Sequence, residues 1–143
     1  MAEKFTAKTE AIINAPPEKV WKALTNPAMV KQWLFGTDMS VSAWEVGGNI
    51  SYKGEWKGKT YEDKGKILEI EPGKKLVSTY WSGMSGLEDI PENYQKVTYE
   101  LILEGNATKL VITQEGNNTE ESAKHSEGNW NTVLASMKKL FEN

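Results

Sequence analysis

Three turn signals divide the middle of this chain and leave it few folds to choose from. Lys57-Gly58 separates NISYKGEW from TYEDKGKILEI, Glu71-Pro72-Gly73-Lys74 has proline and glycine where a type II turn needs them, and Gly105-Asn106 joins KVTYELILE to ATKLVITQE. Hairpin punctuation in series predicts an antiparallel sheet. Alternation is cleanest in the last pair, where Val97, Tyr99, Leu101 and Leu103 fall on one face and Leu110 and Ile112 repeat with period two. One face of the sheet is expected to be buried and the other wet.

The flanks are helical. Phe5 to Ile13 alternates as a first strand, Pro16 and Pro17 stop it and pre-set the first turn of a helix over Glu18 to Leu24, and Asn26-Pro27 starts a second short helix over Pro27 to Trp33. Val20, Leu24, Val30, Trp33 and Leu34 are their expected buried residues. Between Ser82 and Gln95, SGMSGLEDIPENYQ has no sustained period and is expected to be mobile. After Gln114 the chain turns, Asn118 and Glu121 are placed for a capping box, and a last helix runs to the C-terminus.

That last helix has a broken stripe. Trp130, Val133, Leu134, Met137, Leu140 and Phe141 share a face, but extended toward the N-terminus the same face meets Ala123, Ser126 and Glu127. The helix should therefore seat on the sheet from Trp130 onward and stand off over Ala123 and Ser126, leaving a cavity in which Ser126→Leu would be tolerated. The fold class expected is α+β, a single domain over residues 1–143: a curved antiparallel sheet of six or seven strands around a long C-terminal helix, with two short helices after the first strand.

Composition removes several functions. The absence of cysteine excludes disulfides, thiolate nucleophiles, zinc ribbons and iron–sulfur clusters, and the one histidine removes imidazole-rich metal sites. All 17 basic residues are lysines, and with a formal net charge of -3 no arginine fork or basic field is available to grip nucleic acid. No apolar run approaches the roughly 20 residues a membrane span needs. The N-terminal segment lacks a signal-peptide core, so a cytoplasmic location is expected.

The aromatic residues carry the functional signal: six tryptophans and five tyrosines exceed what so small a core usually needs. Trp21 and Trp33 close the short-helix end and Trp130 seats the long helix. Tyr52 and Trp56 share a parity with Ile50 and Gly54, and with Trp44, Trp81, Tyr99 and the small residues Ala123 and Ser126 they are the candidate ligand-binding residues, with ordinary core packing as the alternative for each aromatic. His125 points away from the Trp130 face and pairs with Glu121 at helical spacing, so no catalytic residue is assigned. Gly47-Gly48 is a strand-entry turn. The acidic pairs Glu62-Asp63 and Glu120-Glu121 lack metal-loop spacing and are expected on a solvated surface. No metal and no cofactor are expected.

Four segments in order, IINAPPEKVWKALTNPAMVKQWL, EVGGNI, GKILEIEPGKKLVSTYW and HSEGNWNTVLASMKKL, resemble the activator of heat-shock-protein-90 ATPase homologue-like family of the START-like (SRPBCC, helix-grip) superfamily, over nearly the whole chain. The resemblance implies a helix-grip fold with a deep cavity between sheet and C-terminal helix. It also implies partners of two kinds: small hydrophobic molecules such as lipids, hormones or polyketides, and, from the family's name, a chaperone in a stress response. The function expected first is a non-enzymatic module binding a small hydrophobic or amphipathic molecule. A chaperone cofactor is the second expectation, and a cyclase- or hydrolase-like enzyme the third.

Overall fold

The computed structural model describes residues 5–34, 36–56, 58–82, 88–117 and 119–141, apart from the side chains of Trp56 and Pro91. The described elements are strand β1 (Phe5–Ile13), helices α1 (Pro17–Thr25) and α2 (Pro27–Trp33), strands β2 (Asp38–Val41), β3 (Asn49–Trp56), β4 (Lys59–Glu71) and β5 (Lys75–Ser82), a single 3-10 turn (Pro91–Asn93), strands β6 (Gln95–Glu104) and β7 (Ala107–Asn117), and helix α3 (Glu120–Leu140). The strands form one antiparallel sheet in the order β1-β7-β6-β5-β4-β3-β2. With the long α3 packed on it, this is the α+β helix-grip fold. No helix among the described residues is long and apolar enough to cross a membrane.

The turn chemistry works as its residues dictate. Asn26 caps α2 by accepting from the backbone N–H groups of Ala28 and Met29, at 2.9 and 3.2 Å, and Pro27 opens the helix at a position where a missing N–H costs nothing. At the β4–β5 turn Gly73 takes φ 79°, the left-handed conformation a type II turn requires, and the Lys74 N–H closes the turn on the Glu71 carbonyl at 2.9 Å. The register shift between Ile67 and Glu69 puts an extra residue in β4, and the one opposite Phe5 and Ala7 puts an extra residue in β7, where Gly116 takes φ 96°; such bulges bend their strands and help the sheet curve.

Buried residues from both layers make the core: Ile13, Ile50, Ile67, Leu76, Leu110 and Ile112 from the sheet, Val20, Val30 and Trp33 from the short helices, and Val133, Leu134 and Met137 from α3. Trp33 is anchored by its indole N–H, which donates to the Ala23 carbonyl at 2.8 Å. The α3 axis runs against β1 and β7, with no comparable approach to β3, β4 or β5.

Two local expectations are corrected. Leu103 shares the parity of Val97, Tyr99 and Leu101 but is 65% exposed, because it sits at the β6–β7 hairpin end, past the cover of the helices. The cap of α3 is Thr119, whose hydroxyl accepts from the Ser122 N–H at 2.9 Å. β7 runs on to Asn117, so the helix starts one residue later than a cap at Asn118 would have it; Asn118 itself lies outside the described residues.

Candidate ligand site on the concave face

The β3–β4 register sets Tyr52 opposite Asp63 and Gly54 opposite Tyr61, and Tyr52 packs with Ile50 and Met39 against the core, so Asp63 faces the concave side too. From β5, Tyr80 shares the inward parity of Leu76 and Ser78, and its hydroxyl donates to Asp63 Oδ2 at 2.8 Å. Continuing the Lys64–Trp81 register places Tyr80 opposite Gly65, where a Cβ would stand 1.9 Å from the Thr79 carbonyl oxygen. Glycine is the residue that admits this backbone approach, and it puts no side chain between Tyr80 and Asp63. Tyr99, from β6, completes the group: its hydroxyl is hydrogen-bonded to that of Tyr52.

Burial sets the protonation of these phenols. It pushes Tyr52 up to about 12, helped by the Asp63 carboxylate and partly offset by the bond with Tyr99. Tyr80 is driven far above the ordinary tyrosine range by burial, then by the charge of Asp63 and the proton it donates there. Tyr99 rises for the same first reason, then through its neighbours Tyr52 and Tyr80. All three are neutral donors and acceptors at physiological pH, with Tyr52 and Tyr80 beside the Asp63 carboxylate and Tyr99 behind them. The second oxygen of that carboxylate, Asp63 Oδ1, is buried and has no hydrogen-bond partner.

The other half of the concave face is closed by polar bonds. Asn117, 1% exposed, donates to the carbonyls of Gln114 and Phe5 and accepts at Oδ1 from Gln95, Ser122 and Ser126. Gln114 donates to Gln95 and accepts the Trp130 indole N–H at 2.7 Å. Trp130 in turn meets the Tyr99 ring edge to face, centroids 5.9 Å apart. The expected stand-off at Ala123 and Ser126 is therefore corrected. Ala123 is 4% exposed, Ser126 Oγ lies 3.2 Å from Asn117 Oδ1, and the polar half of α3 is bonded down onto the end of β7.

Of the other residues expected at a site, the structure brings only Tyr52 and Tyr99 into this tyrosine group. Trp44 lies on the β2–β3 connection and is 37% exposed. Trp56 ends β3, and its side chain is outside those described. Trp81 has the opposite parity to Tyr80 and lies on the outer face, where Lys64 Nζ sits 5.6 Å from its ring centroid and Tyr94 stacks at 6.3 Å. Asp89 accepts there from both Lys64 and Tyr94, and these bonds hold its carboxyl below the usual range. Of the segment between Ser82 and Gln95, residues 83–87 lie outside the described residues, and Asp89 and Tyr94 bond or stack onto the sheet. His125 is exposed on α3. An open groove of about 670 Å³ over the β3–β4 hairpin, lined by Gly36, Asp38, Lys53, Gly54, Glu55, Thr60, Tyr61 and Glu62, includes none of the expected site residues.

Asp63 and Tyr80 were not among the residues expected at a site, and Asp63 is a correction, since Glu62-Asp63 reads as a solvated pair. Only Glu62 behaves so, bonding Ser51 and facing Lys53. The period-two parity of Tyr61, Asp63, Gly65 and Ile67 is the sequence signal that places Asp63 inward.

Comparison with known proteins fits this architecture. The profile of the family described as "Activator of Hsp90 ATPase homolog 1-like protein" matches residues 14–142, and the chain belongs to that family. It is similar to the solution structure of ChR145 from Cytophaga hutchinsonii, at 45% identity over 98% of this chain and 95% of that one, with a TM-score of 0.83. The crystal structure of MLL2253 from Mesorhizobium loti is 25% identical over 95% of this chain and 96% of that one, with a TM-score of 0.73. The Aha1 dimer from Colwellia psychrerythraea shares the fold, at 24% identity over 96% of each chain and a TM-score of 0.72. Among curated proteins, none matches the chain.

Proposed function

We propose that this member of the family is a binding module that holds a small hydrophobic or amphipathic molecule between the concave face of the sheet and the C-terminal helix. The observation that carries the proposal is the uneven docking of α3. The helix lies along β1 and β7, while β3, β4 and β5 present Tyr52, Asp63 and Tyr80 to a side it does not approach. Small-molecule sites combine apolar and aromatic walls with a few convergent polar groups, and this face has both. Tyr52, Tyr99 and Tyr80 supply ring surface, and the Asp63 carboxylate supplies the polar end. Ala123 and Ser126, engaged with β7, and Trp81, on the outer face, are left out of the proposed lining.

A chemically diverse panel of lipids and aromatic metabolites, scored by thermal shift and tryptophan fluorescence, tests this. Trp130 touches Tyr99 and is placed to report on occupancy. A true ligand at about a hundred times its Kd should add roughly 2.7 kcal/mol to stability, and Tyr99→Ala should weaken it. A flat response across the panel would overturn the proposal.

A further inference from the structure

Among the described residues two buried side-chain oxygens lack a hydrogen-bond partner, Thr9 Oγ1 and Asp63 Oδ1. They differ in kind. Thr9 carries a neutral hydroxyl on β1, a strand that α3 covers. Asp63 carries an acceptor-only carboxylate on β4, where α3 makes no comparable approach, and an unpaired carboxylate oxygen is the costlier of the two to bury.

No group among the described residues donates to Asp63 Oδ1. The Tyr80 proton goes to Oδ2, and the Tyr52 and Tyr99 hydroxyls are bonded to each other. Lys64, next in sequence, projects from the opposite face to Asp89, and Lys53 on the facing strand pairs with Glu62. None of the ion pairs among the described residues includes Asp63.

We infer that Asp63 is the recognition point for a protonated amine, and that the ligand of this site is a cationic amphiphile with an aromatic or aliphatic body. The inference rests on the binding role proposed above and gives it a sign. An ammonium N–H would supply the missing donor and neutralise the charge in one contact. A carboxylate or phosphate head would meet a fixed negative charge, with no arginine anywhere in the chain to compensate.

Three probes that share one body test this on the full chain at neutral pH: 2-naphthylmethylamine, 2-naphthalenemethanol and 2-naphthoate, titrated by saturation-transfer NMR. The amine should bind at least about tenfold more tightly than the naphthoate, with the alcohol between them. Asp63→Asn, close in shape, should bring amine and alcohol to within about threefold of each other, while Tyr80→Phe, which keeps the carboxylate, should retain the amine preference. Thermal melts of both variants establish that they are folded, and the probe order on the unsubstituted chain decides the matter even if one variant is not. Naphthoate binding as tightly as the amine, an amine preference that survives Asp63→Asn, or one lost in Tyr80→Phe would overturn the inference and leave the binding role standing. Absence of binding by all three probes up to millimolar concentration would overturn both.

Discussion

The two halves of the concave face treat buried polarity in opposite ways. Under the first turns of α3, Asn117 makes five hydrogen bonds with both ends of its amide, and Gln95, Gln114, Ser122, Ser126 and Trp130 complete the set. On β4, Asp63 offers two acceptor oxygens and receives one proton, from Tyr80. A satisfied buried network fixes one docking geometry, because any shift breaks several bonds together. An unsatisfied carboxylate does the reverse: it costs free energy and is relieved by whatever brings a donor. Buried polar residues on the two halves of this face are therefore not alike: those under α3 are fully bonded, and Asp63 is not.

Substitutions can break this contrast, beginning with the largest effect. Trp130→Ala removes the ring that joins the network to Tyr99, and should cost about 3–5 kcal/mol, toward the low end because the indole is half-buried. Asn117→Ala leaves its buried partners without bonds and should cost about 2–3 kcal/mol, with early hydrogen exchange at the start of α3. Equilibrium denaturation measures both, and an Asn117→Ala protein as stable as the parent would remove the structural role given to the network. Ser126→Leu, placed in a bonded contact, should cost about 1–3 kcal/mol by overpacking; neutrality there would restore a cavity at that position. Asp63→Asn should fall within about 1 kcal/mol of the parent, since it removes a poorly compensated charge and keeps the shape. His125→Ala, on the exposed face of α3, should stay within about 0.5 kcal/mol and leave probe binding unchanged.

What the sequence makes legible is local. Asn26-Pro27 places the start of α2, Pro72-Gly73 places a turn, and the stripe from Trp130 to Met137 places the buried face of α3, because each signal acts within one turn of helix or one hairpin. The partner of Ser126 is different in kind. It is Asn117, back on a strand, and apolar periodicity does not record hydrogen-bond partners across elements. Small and polar residues on the inner face of a helix suggest empty space unless the opposing side chains are known. Asp63 was legible by parity, but an adjacent glutamate made the pair look like surface. Tyr80 and Trp81 are both aromatic, so composition does not say which one faces inward; the pairing of Trp81 with Lys64 decides it.

The strand order carries a consequence for how the chain assembles. β2 through β7 follow one another as neighbours, so each can add to the sheet soon after it is synthesised, but β1 pairs with β7, joining Phe5 to Asn117. The first strand made must wait for the last, across most of the chain's length. Closing that loop gives the fold a high contact order, which slows folding relative to helical domains of similar size. Until it closes, β7 has a free edge of the type that pairs with other chains, and the surface on which α3 docks is incomplete. Nascent chains that end before residue 117 should thus be open to aggregation, and β1 is poised as a late clasp whose arrival lets α3 settle and the Asn117 network form in one step.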